Sequence, residues 1–89
     1  MTWTVEYTSQ AVKQLSKLDR SVRQRIYKFV DDRILSLDNP RSIGKVLQGS
    51  LAEYWAYRVG DYRLLVKIED QRLIILFTDI AHRKDVYKS

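Results

Sequence analysis

Cysteine is absent and histidine occurs once, at His82, in a chain of 89 residues. Disulfides and thiolate chemistry are excluded, and so is a zinc site assembled from His and Cys. Glycine and proline are scarce, at 3 and 1, and no Gly-rich phosphate loop, internal repeat or low-complexity segment occurs. No apolar run approaches the roughly 20 residues that a membrane helix requires, and no basic-then-apolar leader opens the chain. A cytoplasmic protein without membrane association is expected. Asp31 and Asp32 have no matching acids elsewhere, and no Ser/His/Asp set recurs. Any enzymatic reading is thereby confined to metal-free, cofactor-free acid–base or electrostatic catalysis.

What is present suits one compact domain over residues 1–89: 45% hydrophobic and 30% charged side chains. Lys and Arg number 16 against 11 Asp and Glu, a formal charge of +5. Residues 1–40 carry 7 basic and 5 acidic side chains and residues 41–89 carry 9 and 6. Neither half is a polybasic arm, so the position of particular cations on the folded surface decides the function.

Residues 2–8 alternate, with Trp3, Val5 and Tyr7 on one side, as a half-buried strand does. From Gln10 the period changes to a helical stripe of Val12, Leu15 and Leu18 with Ala11 beside them. A second helix carries Val22, Ile26, Phe29, Val30, Ile34 and Leu37, with Ser21 and Gln24 as a capping box or Asp19 as the cap. Asn39 followed by Pro40 ends it. A loop over 41–52 with the cations Arg41 and Lys45 leads to strands at 53–59, 62–68 and 72–80. The predicted order is β-α-α-β-β-β, an α+β fold with an antiparallel twisted sheet and a helical hairpin on one face.

Gly60 and Asp61 have the chemistry of a two-residue type II′ turn. Counting outward pairs Val59 with Tyr62, Arg58 with Arg63, Tyr57 with Leu64, Ala56 with Leu65 and Trp55 with Val66. Trp55, Tyr57, Val59, Tyr62, Leu64, Val66 and Ile68 then share the apolar face, and Tyr54, Ala56, Arg58, Arg63, Leu65 and Lys67 share the other. Two arginines stand opposed, at a cost of roughly 3 kcal/mol for ~5 Å and a dielectric of ~20. That is tolerable where the side chains splay into water, or where a polyanion lies between them. A second tight turn at Asp70 and Gln71, with Glu69 facing Arg72, would set Thr78 beside Arg63 and Leu76 beside Leu65. Thr78, Ile80 and His82 would then join the arginine face, with Arg83 and Tyr87 on a final helical turn.

Such a patch fits cleavage of an RNA phosphodiester by its own 2′-hydroxyl. Arginines hold the phosphate and offset its growing charge, and a histidine exchanges protons near neutral pH. Tyr87 could accept a proton if neighbouring arginines lower its pKa, or stack on a base; sequence leaves both open.

The runs Leu47-Gln48-Gly49, Trp55-Ala56-Tyr57-Arg58-Val59-Gly60-Asp61-Tyr62-Arg63 and His82-Arg83-Lys84-Asp85-Val86-Tyr87 together resemble the RelE toxins of the RelE/ParE superfamily. The resemblance covers essentially the whole chain. It implies a ribosome-dependent, metal-independent endoribonuclease of a type II toxin–antitoxin system that cuts messenger RNA in the A site of the 70S ribosome. It also implies a RelB-like antitoxin partner, with operator DNA bound only through the toxin–antitoxin complex. Arg58 and Arg63 match the family's phosphate-holding cations, Arg83 its C-terminal catalytic arginine, Tyr87 its substrate-facing tyrosine and His82 a common histidine. Lys45, Lys67 and Arg41 are candidate RNA contacts. One departure is Ala56, where the family often has lysine; Lys67 or Lys45 could stand in. The alternative is a gyrase-inhibiting toxin without nuclease activity, since ParE proteins share this fold.

Overall fold

The computed structural model describes residues 3–36, 39–46 and 54–82. The Leu47-Gln48-Gly49 run, Leu37, Arg83 and Tyr87 lie outside the described residues. Strand β1 (Thr4–Tyr7) alternates as its sequence does, with Val5 and Tyr7 turned to the core. Helix α1 (Ser9–Ser16) begins where Thr8 Oγ1 accepts the Ala11 N–H at 3.1 Å. The same hydroxyl donates to the Thr78 carbonyl at 3.1 Å, fastening the helix start to the last strand.

Of the first helix's stripe, Ala11 and Leu15 are buried, whereas Val12 is 52% exposed. Positions 11, 15 and 18 lie four and three residues apart on one face, and Val12 is turned about 100° from Ala11. Helix α2 (Arg20–Phe29) has Asp19 at its N-cap position, without a side-chain capping bond. The capping box expected of Ser21 and Gln24 does not form, because the helix already includes Arg20. Beyond Phe29 the helix widens into a π turn, Val30–Ile34, closed by Leu35 N–H donating to the Val30 carbonyl at 3.0 Å.

Four more strands follow: β2 (Lys45–Val46), β3 (Trp55–Val59), β4 (Tyr62–Glu69) and β5 (Ile74–His82). The sheet order is β1-β5-β4-β3-β2. Neighbours in the β2-β3-β4-β5 series are antiparallel, but β1 lies parallel to β5, so the sheet is mixed rather than wholly antiparallel. The meander brings β5 back alongside β1 in the same direction, after the helical hairpin has carried the chain across the sheet. The two-residue strand β2 sits in the segment expected to be loop.

The first hairpin has the register read from its turn: Val59 opposite Tyr62, Arg58 opposite Arg63, through to Trp55 opposite Val66. Gly60 has φ +58°, while Asp61 keeps a negative φ, which fits a type II′ turn. The second hairpin departs from expectation twice. Its closing pair is Glu69 with Ile74, so the connection holds residues 70–73 instead of two, with Leu73 at φ 53°. A bulge then shifts the ladder between Leu65 and Val66, opposite Asp79 and Phe77 respectively. The longer turn moves the register by two and preserves the faces; the bulge moves it by one more and exchanges them beyond Thr78.

One layer of helix covers one face of the sheet. Leu15, Ile26, Val30 and Ile34 meet Tyr57, Leu64, Val66, Ile75, Phe77 and Ile80, with Trp3, Phe29 and Trp55 packed at the margin. Each large side chain so buried contributes roughly 1.5–3 kcal/mol relative to exposure. The Tyr57 hydroxyl donates to the Pro40 carbonyl, tying the loop before β2 to the core.

Gly60→Ala should cost about 1–2 kcal/mol, because a side chain is placed in a left-handed conformation; a thermal melt should fall by several degrees. Burial pushes the Tyr57 phenol up to about 12, with Arg41 opposing. The folded state therefore holds this proton more tightly than the unfolded chain, whose tyrosine titrates near 10. Stability should be full below about pH 10 and fall as pH rises towards 12. Denaturant titrations at pH 9 and 11 should show a smaller loss for Tyr57→Phe than for the parent.

Candidate nucleic-acid interface

On the sheet face away from the helices, side chains fall into cross-strand rows. Arg58 faces Arg63, and Ala81 continues that row on β5. Lys45 faces Ala56, Ala56 faces Leu65, and Asp79 completes the second row. Lys67 pairs with Leu76 on β5, and its Nζ lies 5.1 Å from the centre of the Tyr54 ring on the other side. Four cations thus frame a small apolar floor, in which Ala56 and Leu65 are only 5% and 8% exposed.

The opposed arginines are the central feature. They stand one pair beyond the pair that closes the turn, a position whose side chains approach closely. Arg58 is exposed and its Nε donates to the Gly60 carbonyl at 3.2 Å, whereas Arg63 is half-buried. Arg25 reaches the same turn from α2: a Cβ placed on Gly60 would lie 3.3 Å from its Nη1. Arg25 was not singled out by sequence. Its signal is its place one turn before Phe29, whose ring packs edge-on against Tyr57 at 6.3 Å and so aims that helix face at β3.

His82 is not part of this face. The ladder pairs it with Tyr62, and Ile80 with Leu64, on the helix-covered side. The His82 and Tyr62 rings meet edge to face, with centres 5.4 Å apart. Ile80 is core, and its N–H donates to Gln14 Oε1 at 2.6 Å. Thr78 occupies the bulge, its hydroxyl donating to the Leu65 carbonyl at 3.2 Å. The expectation that Thr78, Ile80 and His82 would extend the arginine face is therefore corrected, and the bulge is the cause.

Arg41 is also engaged elsewhere. Its guanidinium makes a two-pronged contact with Asp70, at 2.8 and 2.7 Å, and lies 5.8 Å from the Trp55 ring centre. The hydrogen bonds from Arg41 hold the Asp70 carboxyl below its usual range. Lys45, Lys67, Arg58 and Arg63 are brought together; Arg41 clasps the loop before β2 to the β4–β5 turn.

The arrangement suits a phosphodiester. Two guanidinium groups from adjacent strands can each offer paired N–H donors to phosphate oxygens, while Lys45 and Lys67 extend the positive field along an extended strand of nucleotides.

Comparison with known proteins bears on the family and the fold. Residues 5–87 match the family model described as the ParE toxin of the type II toxin–antitoxin system parDE. The chain is 31% identical to Toxin RelG of Mycobacterium tuberculosis over 88 residues, covering 99% of each chain. It is 30% identical to Toxin RelE of the same organism, covering 94% of this chain and 84% of that one. Among solved structures, the RelBE2 toxin–antitoxin complex of M. tuberculosis contains a chain with TM-score 0.84 and 29% identity, covering 93% of this chain and 100% of that one.

If like-charge repulsion strains the hairpin, Arg58→Thr should raise stability by about 1 kcal/mol at low ionic strength. The gain should shrink at about 0.5 M salt, where screening is strong. Melting curves at the two salt concentrations measure both effects.

Proposed function

The chain belongs to the RelE/ParE family of type II toxin–antitoxin toxins and is of RelE type, and on that premise we propose that it is a metal-independent endoribonuclease cutting messenger RNA on the ribosome. The observation that carries this reading is the arginine pair, Arg58 opposite Arg63, on a face with two further lysines. In the proposed reaction the 2′-hydroxyl attacks the adjacent phosphorus and the bond to the 5′-oxygen breaks. A 2′,3′-cyclic phosphate and a 5′-hydroxyl result, with one proton removed from the nucleophile and one delivered to the leaving oxygen. Arg58 and Arg63 hold the phosphate and stabilise the charge that grows on its oxygens.

Arg83 and Tyr87 enter this reading through their match to the family's terminal motif: Arg83 as a third cation, Tyr87 as the group that stacks on or deprotonates the substrate. His82, paired with Tyr62 on the opposite face, serves by anchoring the end of β5 just before that motif. Lys45 takes the place of the amine missing at Ala56, since the ladder sets it directly across from that residue. A RelB-like antitoxin is the proposed partner, supported by solved relatives that are toxin–antitoxin complexes. The protein acts in the cytoplasm on the 70S ribosome and meets operator DNA only through that complex.

A second reading has its own support: the ParE description of the matching family model and the separation of His82 from the arginines. It is a gyrase-inhibiting toxin that cuts no RNA.

Transcript ends mapped to single nucleotides after induction decide between them. The parent should yield new ends within translated codons, and Arg63→Ala should reduce them at least a hundredfold while its melting curve stays cooperative. Intact transcripts together with DNA damage would establish the second reading. Lys45→Ala should weaken cutting roughly tenfold to a hundredfold, the range of a lost charge contact to phosphate. Lys45→Ala combined with Ala56→Lys should recover most of the loss, because the amine returns to the same row.

A further inference from the structure

Among the described strand residues, the carboxylates on the face away from the helices are Glu6, Glu69 and Asp79. Glu69 accepts from Arg72 at 3.3 Å, and Glu6 lies out on β1, opposite Leu76. Asp79 is placed differently. The bulge that carries His82 off this face brings Asp79 onto it, at the end of the row formed by Lys45, Ala56 and Leu65. Arg63 pairs with Ala81, two residues further along β5, so Asp79 is its diagonal neighbour. Diagonal neighbours in an antiparallel pair stand about 7–8 Å apart.

Asp79 is also held in place. Its Oδ1 accepts from the Gln10 side-chain amide on α1 at 2.5 Å. One helical turn on, Gln14 Oε1 accepts the Ile80 N–H at 2.6 Å, so the same helix fixes the backbone beside it. A neutral amide orients a carboxylate without offsetting its charge, whereas Arg41 and Arg72 offset the charges of Asp70 and Glu69.

We infer that Asp79 is the proton acceptor for the attacking 2′-hydroxyl, and that Gln10 is its positioning residue. The inference rests on the nuclease reading above and names the base for it. With the phosphate across Arg58 and Arg63, the nucleophile falls one row along, over the floor of Ala56 and Leu65, where Asp79 ends the row. The guanidinium and ammonium groups around that floor are donors only. In the step, the 2′-hydroxyl proton passes to Asp79 Oδ2 as the 2′-oxygen bonds to phosphorus. The bond from phosphorus to the 5′-oxygen breaks, and water supplies the proton that this oxygen takes. Asp79 then returns its own proton to water, so none is gained or lost. Tyr87 is left to stack on the base.

The test follows single turnovers of the full chain on ribosomes programmed with a short messenger. Asp79→Asn keeps the side chain's size and an oxygen for Gln10, and its melting curve should stay cooperative. It should slow cleavage roughly a hundredfold or more, the scale of a lost general base. Its affinity for the same complex carrying 2′-O-methyl nucleotides should stay within about twofold. Asp79→Glu, which retains a carboxylate, should recover part of the rate. A messenger with sulfur at the 5′-bridging position, whose leaving group requires no proton, should not rescue Asp79→Asn. Gln10→Ala should slow the parent about tenfold and leave Asp79→Asn unchanged, because it acts through that carboxylate. Cutting by Asp79→Asn at the parent's rate, loss of affinity in step with rate, or rescue by the sulfur substrate would each overturn the assignment of Asp79. Equal losses from Gln10→Ala in both backgrounds would overturn that of Gln10. A parent that cuts no transcript removes the nuclease reading and this inference together; a cutting parent beside an equally active Asp79→Asn removes the inference alone.

Discussion

Two residues between β3 and β4 govern the rest. Gly60 takes a left-handed conformation, and because the turn is as short as a hairpin allows, every pair along both strands follows from it. Tyr57, Leu64 and Val66 are thereby sent to the helices, and Arg58 and Arg63 to the other side. A turn one residue longer would reverse that sorting, burying guanidinium groups beneath α2 and turning the core aromatic out.

The two faces then obey different physics. One is closed by Ile26, Val30, Ile34 and Phe77, all nearly inaccessible to water, and its stabilisation scales with apolar area. The other holds like charges at close quarters over a floor of Ala56 and Leu65. Stability drawn from the first face lets the second carry an electrostatic penalty, the usual relation between a scaffold and the site it supports. Arg41, Asp70, Tyr57 and Pro40 fasten the loop before β2, and so hold Lys45 in its row.

Legibility in the sequence followed the range of the interactions. The helices, the first hairpin and the arginine pair were readable because helical period, strand alternation and a Gly-Asp turn are local signals. Strand β2 was not, since two residues show no period and Lys45 and Val46 become a strand only by pairing with β3. The parallel docking of β1 depends on where a distant meander returns. The four-residue turn before Ile74 and the bulge at Thr78 carry no glycine to announce them. The bulge instead coincides with long-range bonds: Thr8 to the Thr78 carbonyl, and Gln14 to Ile80. Nothing near His82 in sequence reveals that its strand has changed faces.

The π turn at Val30–Ile34 has a bearing on how this helix could vary in length. In an α-helix, residues four apart overshoot a full turn by about 40°, so Ile26, Val30 and Ile34 would drift by about 80° across two steps. The wider turn takes up an additional residue and brings Ile34 back over the sheet, where it is 1% exposed. The surplus residue acts as a phase corrector. Losing one residue here would restore ordinary helical winding and leave everything after it in the same phase. A one-residue deletion should therefore be better tolerated within this turn than within α2 itself, where it would rotate the following side chains by about 100°.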